Sequence, residues 1–283
     1  MQVDHHIQEL CTKALDSMSS VGVIMKSDNG SVGGTGMGRL MSRFYLAYST
    51  MELLTGIQES LSMSQLLEVI CQSRELADAV LRTSERKTLN HLNRKREKKT
   101  VRFQQPGKIK TKEMKVNVLI QASLGCMTIS DVGLNMETPR YVRLASKIAT
   151  CLVEVVLSCP VKSCDLTLVK NSLLLSKSLT CGFWEDSENV SKQMDKVGVV
   201  LSSSIANAGY KDLAAIANAN PRMLELAARK SPPFGNHLRD WAAGQPSYSL
   251  HVNLGHVSMT SVQAEVRVSL VNRANVVTNS QHR

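Results

Sequence analysis

Apolar residues recur at three- and four-residue intervals through most of this 283-residue chain, and only beyond Tyr248 does the interval drop to two. A chain with that rhythm is committed to packed helices, with strands only at its far end. Ile7, Leu10, Cys11, Ala14, Leu15 and Met18 predict a first helix. Further helices are expected from Gly38, with Leu40, Met41, Phe44, Tyr45 and Tyr48 on one side, and from Ser62 to Leu81 with Ser64 as cap. Three more follow, at about Lys112 to Leu124, Thr138-Pro139 to Leu157, and Leu166 to Leu179. In Lys112–Leu124 the apolar and basic positions alternate in facing, so one side is expected to pack while the other stays cationic.

These segments divide the chain into four expected regions. Val21, Val23 and Ile24 turning at Asp28-Asn29-Gly30 make residues 1–37 the remnant of a winged helix. Residues 38–184 form a helical bundle of roughly six or seven helices. Residues 185–245 contain a helix from Val190 to Lys196, a turn at Val197-Gly198-Val199 and a second helix from Leu201 to Ala208, a helix-hairpin-helix. Such a hairpin grips a phosphate with backbone amides, which suits Gly198. A standard hairpin carries a second glycine where this chain has Lys196, whose charge can substitute; an ordinary packed helical pair fits the same residues. Residues 246–283 alternate as the first strands of a β-sandwich. Two strands do not make a sandwich, so truncation or splicing at both ends is expected.

At 43% apolar the chain can bury a core, and aromatics at 4% leave the packing to aliphatic side chains. Seven cysteines, mostly inside apolar runs, point to reduced thiols in an intracellular protein. No secretory signal is visible at the N-terminus, and no apolar run reaches the roughly 18 residues needed to span a bilayer, so no membrane is expected as a partner.

The charge is concentrated. Thirteen Lys or Arg against three acids lie between Arg82 and Lys115, a surplus of ten that equals the formal charge of the whole chain. Clustered cations of this kind, Arg94, Lys95, Arg96, Lys98 and Lys99 above all, suit the phosphates of a nucleic acid through counterion release. They suit a solvated loop equally, and charge alone does not separate the two.

Catalytic patterns are missing. Gly33-Gly34-Thr35-Gly36-Met37-Gly38-Arg39 lacks the lysine of a phosphate loop and reads as a flexible connection. No Gly-x-Ser-x-Gly elbow or His-Glu-x-x-His helix occurs. Cys159 and Cys164 lack a second ligand pair, so no metal site is expected. No carboxylate pair stands out as acid and base.

The run Gly38-Arg39-Leu40-Met41-Ser42-Arg43-Phe44-Tyr45, then Lys87-Thr88-Leu89-Asn90, then Gly107 to Asn117 with Leu119-Ile120-Gln121-Ala122, resembles the Sec-sixty-three-type region of Ski-two-like superfamily-two helicases. Cys181-Gly182-Phe183-Trp184-Glu185 and Ser231-Pro232-Pro233-Phe234-Gly235 look most like the meiotic branch, the ATP-dependent DNA helicases of the Hfm/Mer type that promote crossovers. The resemblance implies a mainly α architecture of partial winged helix, helical bundle with a ratchet-like helix, helix-hairpin-helix and the start of an immunoglobulin-like domain. It implies single-stranded or branched DNA as partner, other recombination proteins beside it, and a nuclear location. The helix from Lys112 matches the ratchet position, so Lys108, Lys110, Lys112 and Lys115 are expected to track phosphates, with Gln121 or Ser123 facing a base. Lys196 and Gly198 are expected to hold phosphate at the hairpin. ATP and magnesium belong to motor domains that this chain lacks, so no cofactor and no independent turnover are expected of it. A competing expectation is a protein-docking platform whose basic loop meets acidic partners.

Overall fold

The computed structural model describes residues 2–27, 30–58, 60–94, 101–258 and 261–272. The chain is mainly helical and forms two compact units, 1–186 and 187–283. Unit 1 opens with α1 (Gln2–Ser20), followed by the antiparallel pair β1 (Ile24–Lys26) and β2 (Val32–Gly34). Then come α2 (Gly36–Arg43), α3 (Tyr48–Thr55), α4 (Met63–Cys71), α5 (Arg86–Asn93), α6 (Lys112–Leu124), α7 (Val132–Ser158), the short α8 (Pro160–Ser163) and α9 (Leu166–Cys181).

Helix α6 is the axis of this unit. Every residue from Lys115 to Ala122 is buried, and the helix packs against α4, α5 and α7. The expected split into a packed and a cationic side is therefore corrected: α6 is enclosed on all sides. Its limits follow from local chemistry, since the Thr111 hydroxyl accepts from the Met114 amide and the helix stops at Gly125.

Two helices differ from the sequence expectation. Helix α4 ends at Cys71 rather than Leu81, and its cap is Ser62, which forms a reciprocal capping box with Gln65. Helix α7 begins at Val132, capped by Asp131, and continues through Pro139. Proline cannot donate to the carbonyl of Asn135, but both residues are exposed, so water can satisfy that acceptor.

Unit 2 packs α10 (Val199–Asn207), α11 (Leu213–Ala217), α12 (Pro221–Ala228) and α13 (Phe234–Gly244) around Val197, Ile205, Ile216, Leu224 and Leu238. The expected helix at Val190 to Lys196 is only a 3-10 turn, Val190–Gln193. The strands β3 (Tyr248–Val257) and β4 (Val262–Leu270) form an antiparallel hairpin, pairing Leu250 with Val268 and Val252 with Val266. Asn272 anchors it by donating to the carbonyls of Ala243 and Gln245 at 2.9 and 2.6 Å.

Candidate nucleic-acid interface

The loop between α5 and α6 is pinned by amide side chains. Asn93 donates to the carbonyls of Gln105 and Gly107 at 2.9 and 3.3 Å and accepts from the Gln105 amide at 2.8 Å. Asn90 accepts from the Ile109 amide at 2.9 Å. From the α6 side, Gln121 accepts from the Phe103 amide at 2.7 Å and donates to the Phe103 carbonyl at 2.8 Å. Val101 and Ile109 are buried, and Phe103 meets Trp184 edge to face with ring centres 5.7 Å apart. The Arg102 guanidinium lies over both rings and pairs with Glu185 at 2.8 Å.

This clamping sets Lys108 against the outer face of α5. Lys87, His91 and Arg94 follow one another at spacings of four and three, so they share that face. With Thr88, Asn90, Lys108 and Ser130 they line a cleft of about 630 Å³. Among the described residues, Lys87, Arg94, Lys108 and Lys110 have no carboxylate within ion-pair distance, whereas Arg43, Arg82, Arg102 and Arg140 are each paired. Among the described residues the cleft is therefore cationic and uncompensated, and the His91 imidazole is the one ring that lines it.

The residues named from the sequence fall into three groups. Arg94 and Lys108 come together in the cleft, and Lys110 is exposed on the same loop. Lys112, Lys115 and Gln121 do not join them. The Lys112 ammonium donates to the Ala77 carbonyl at 2.7 Å. Lys115 is fully buried, with its ammonium 2.8 Å from Glu85, 2.8 Å from Glu137 and 2.8 Å from the Val80 carbonyl. All three of its donors are used inside the protein. Gln121 is fully buried as well, spent on Phe103 and on Asn117 at 2.6 Å. The expected phosphate and base contacts at Lys115 and Gln121 are corrected accordingly: both hold the fold together. Lys95, Arg96, Lys98 and Lys99 lie outside the described residues.

Burial drives the Glu137 carboxyl upward, but hydrogen bonds from Lys115 and Tyr141 and the charges of Lys115 and Arg82 outweigh it and hold the group below its ordinary value. Burial, with Glu154 adding, pushes the Cys151 thiol up to about 12, which leaves it protonated and unreactive. All seven cysteines are free, and the described residues contain no cluster suited to a metal ion.

In unit 2, Lys196 takes a left-handed backbone with φ of 66°, the conformation for which the standard hairpin keeps a glycine. Gly198 caps α10 with φ of −80°, and a Cβ there would meet nothing within 4 Å. Its conformation thus does not demand glycine. The glycine-rich run near α2 does not fit a nucleotide. The Thr35 hydroxyl donates to the carbonyls of Gly22 and Val23 and accepts from the Gly38 amide, while a Cβ on Gly38 would lie 2.3 Å from the Val23 carbonyl. Of these glycines Gly38 serves packing, whereas a Cβ at Gly33, Gly34 or Gly36 would meet nothing within 4 Å.

Lys87 and His91 are not among the residues expected from the sequence to meet phosphate. Their signal was the spacing with Arg94, which the charge count of the loop obscured.

Residues 34–282 match the family described as the Sec63 Brl domain. The chain is similar to the probable ATP-dependent DNA helicase HFM1 of Xenopus tropicalis, with 35% identity across 95% of this chain and 20% of that protein. The human protein of the same name is 37% identical across 95% of this chain and 19% of its own length. The ATP-dependent DNA helicase homolog MER3 of Arabidopsis thaliana is 30% identical across 87% and 22%. The chain spans about a fifth of the length of these relatives.

Proposed function

This chain belongs to the Sec63 Brl domain family, and from that premise we propose that it is the nucleic-acid-binding accessory region of an ATP-dependent DNA helicase, guiding single-stranded DNA for a motor. We place that motor in meiotic recombination and crossover formation in the nucleus, with three-prime to five-prime polarity, where branched DNA and other recombination proteins would be its company. The similarity to proteins named as HFM1 and MER3 helicases supports this reading. ATP and magnesium would be bound by that motor.

The observation that carries the proposal is the cleft lined by Lys87, Arg94 and Lys108 beside His91, where cations gather with no carboxylate among the described residues. Like charges held together repel, and a polyanion relieves that repulsion while releasing its counterions. Arg94 offers a planar fork to two phosphate oxygens, and the lysines supply point charges. Among the described residues the His91 imidazole is the one ring in the cleft on which a base could stack, and stacking alone tolerates every base, so binding is expected to depend weakly on sequence.

Fluorescence anisotropy of the chain on a fluorescent oligothymidylate across a salt series tests this. The Lys87→Gln, Arg94→Gln, Lys108→Gln triple variant should lose about 0.7 from the steepness of the log–log salt dependence for each cation removed. An unchanged slope would overturn the assignment. A second reading, protein docking, is favoured by the hairpin of unit 2, where Leu250, Val252, Val266 and Val268 share one exposed face. Binding to a protein through that face would respond weakly to salt.

A further inference from the structure

Unit 1 also holds a cleft of about 170 Å³ where α4 packs against α6. Glu68 and Cys71 of α4, Glu113 and Met114 of α6, and Gln105 of the loop before α6 line it. No Lys or Arg does, and among the described residues neither carboxylate has a cation within ion-pair distance. The chain carries a formal charge of +10, so two neighbouring acids left without a cation stand out.

Helix chemistry accounts for only one of them. Glu113 lies in the first turn of α6, where the helix dipole favours a carboxylate. Glu68 lies in the last turn of α4 (Met63–Cys71), where the same effect disfavours one. Both acids converge on a single thiol. Burial first, and then the charges of Glu68 and Glu113, push the Cys71 thiol up, so it stays a neutral, polarisable wall between them.

Gln105 is the independent sign of a ligand. It is only 9% exposed, and Asn93 takes both its backbone amide and its carbonyl. Its side-chain amide therefore remains for the cleft, and it has no hydrogen-bond partner among the described residues. A buried amide left unpaired is costly, and a ligand in the cleft would supply the missing partner.

We propose that this cleft takes the guanidinium of one arginine side chain presented by a protein partner, a contact separate from the cationic cleft and independent of the nucleic-acid reading. Two carboxylates and the Gln105 carbonyl oxygen offer acceptors to a planar fork of five donors. Met114 and Cys71 offer apolar surface, which a weakly hydrated guanidinium tolerates better than a compact ammonium does. The space is smaller than the roughly 300–1,000 Å³ of a small-molecule site and suits a single side chain. Phosphate is excluded by the carboxylates, and the described residues hold no cluster suited to a metal ion.

The Gln105 side-chain amide reports on occupancy directly. Its signals in heteronuclear magnetic-resonance spectra of the full chain, identified by their loss in Gln105→Met, should shift saturably on titration with N-acetyl-arginine amide at constant ionic strength. N-acetyl-citrulline amide, neutral and of the same shape, should leave them in place, and N-acetyl-lysine amide should bind more weakly than the arginine compound. The Glu68→Gln, Glu113→Gln variant should bind the arginine compound about tenfold more weakly. Glu68→Gln alone, which removes the unfavourable charge at the end of α4, should melt no lower than wild type and still weaken binding. An unshifted amide, an equal response to citrulline or lysine, or undiminished binding by both variants would overturn the inference. The double variant should also keep the wild-type salt slope on oligothymidylate; a changed slope would assign these carboxylates to DNA binding and overturn the protein contact.

Discussion

Helices α5 and α6 come from the same basic stretch and pack against each other, yet they use their cations in opposite ways. On α5 and at its C-cap, Lys87 and Arg94 have no carboxylate partner among the described residues, and they line a cleft with Lys108. On α6, Lys115 is sealed inside the protein between Glu85 and Glu137. A lysine that reads as a ligand group in sequence is thus, in one case, part of the core. The difference lies in what surrounds each helix: α6 is enclosed by three neighbours, whereas α5 keeps one face in solvent.

Removing Lys115 should separate the two helices most forcefully. Lys115→Met takes from Glu85 its buried cation and leaves it the exposed Arg82 at 3.3 Å, and breaking a buried pair in this way costs about 3–5 kcal/mol. Chemical denaturation should show that loss, while the folded fraction binds DNA with an unchanged salt slope. A flattened slope would return Lys115 to the binding surface.

The loop clamp comes next. Asn93→Ala removes three hydrogen bonds and strands buried backbone groups, a loss of about 1–3 kcal/mol. Because the clamp also positions Lys108, affinity for single-stranded DNA should fall with it. Full affinity in a folded Asn93→Ala protein would show that Lys108 needs no fixed place.

A smaller effect is expected from acid. The Glu137 carboxyl is depressed in the folded chain, so the stability it contributes is present above the unfolded value near 4.5 and is lost as pH falls through the lower folded value. Wild type should therefore weaken as pH drops below about 4.5, and Tyr141→Phe, which removes one of the bonds holding the carboxylate, should weaken over a smaller span. Identical acid profiles for the two would remove Tyr141 from the network. Smallest of all should be the stability change on replacing Lys87, Arg94 and Lys108 by Gln, within about 0.5 kcal/mol, because these exposed side chains hold nothing together.

Much of this was legible from the residues because the information was local. Both ends of α6 are written beside it, in Thr111 and Gly125, and the strand period after Tyr248 marks the hairpin. Pro139 misled because proline usually opens a helix, whereas here an exposed turn tolerates its missing amide. The polar Gln72 and Ser73 that close α4 resembled surface positions of a longer helix. The role of Lys115 was illegible for a different reason. Its partners arrive from the segment before α5 and from α7, and nothing near Lys115 in sequence announces them. Lys87, His91 and Arg94 carried a readable spacing, but only the amide clamps bring Lys108 to the same face.

The central claim is that phosphates meet the cations of the α5 cleft and not those of α6. The most direct measurement compares the salt dependence of oligothymidylate binding for wild type, the Lys87→Gln, Arg94→Gln, Lys108→Gln variant, and Lys112→Gln. The account predicts a slope shallower by about 2 for the cleft variant and one indistinguishable from wild type for Lys112→Gln. A flattened slope for Lys112→Gln with an unaltered one for the cleft variant would contradict it.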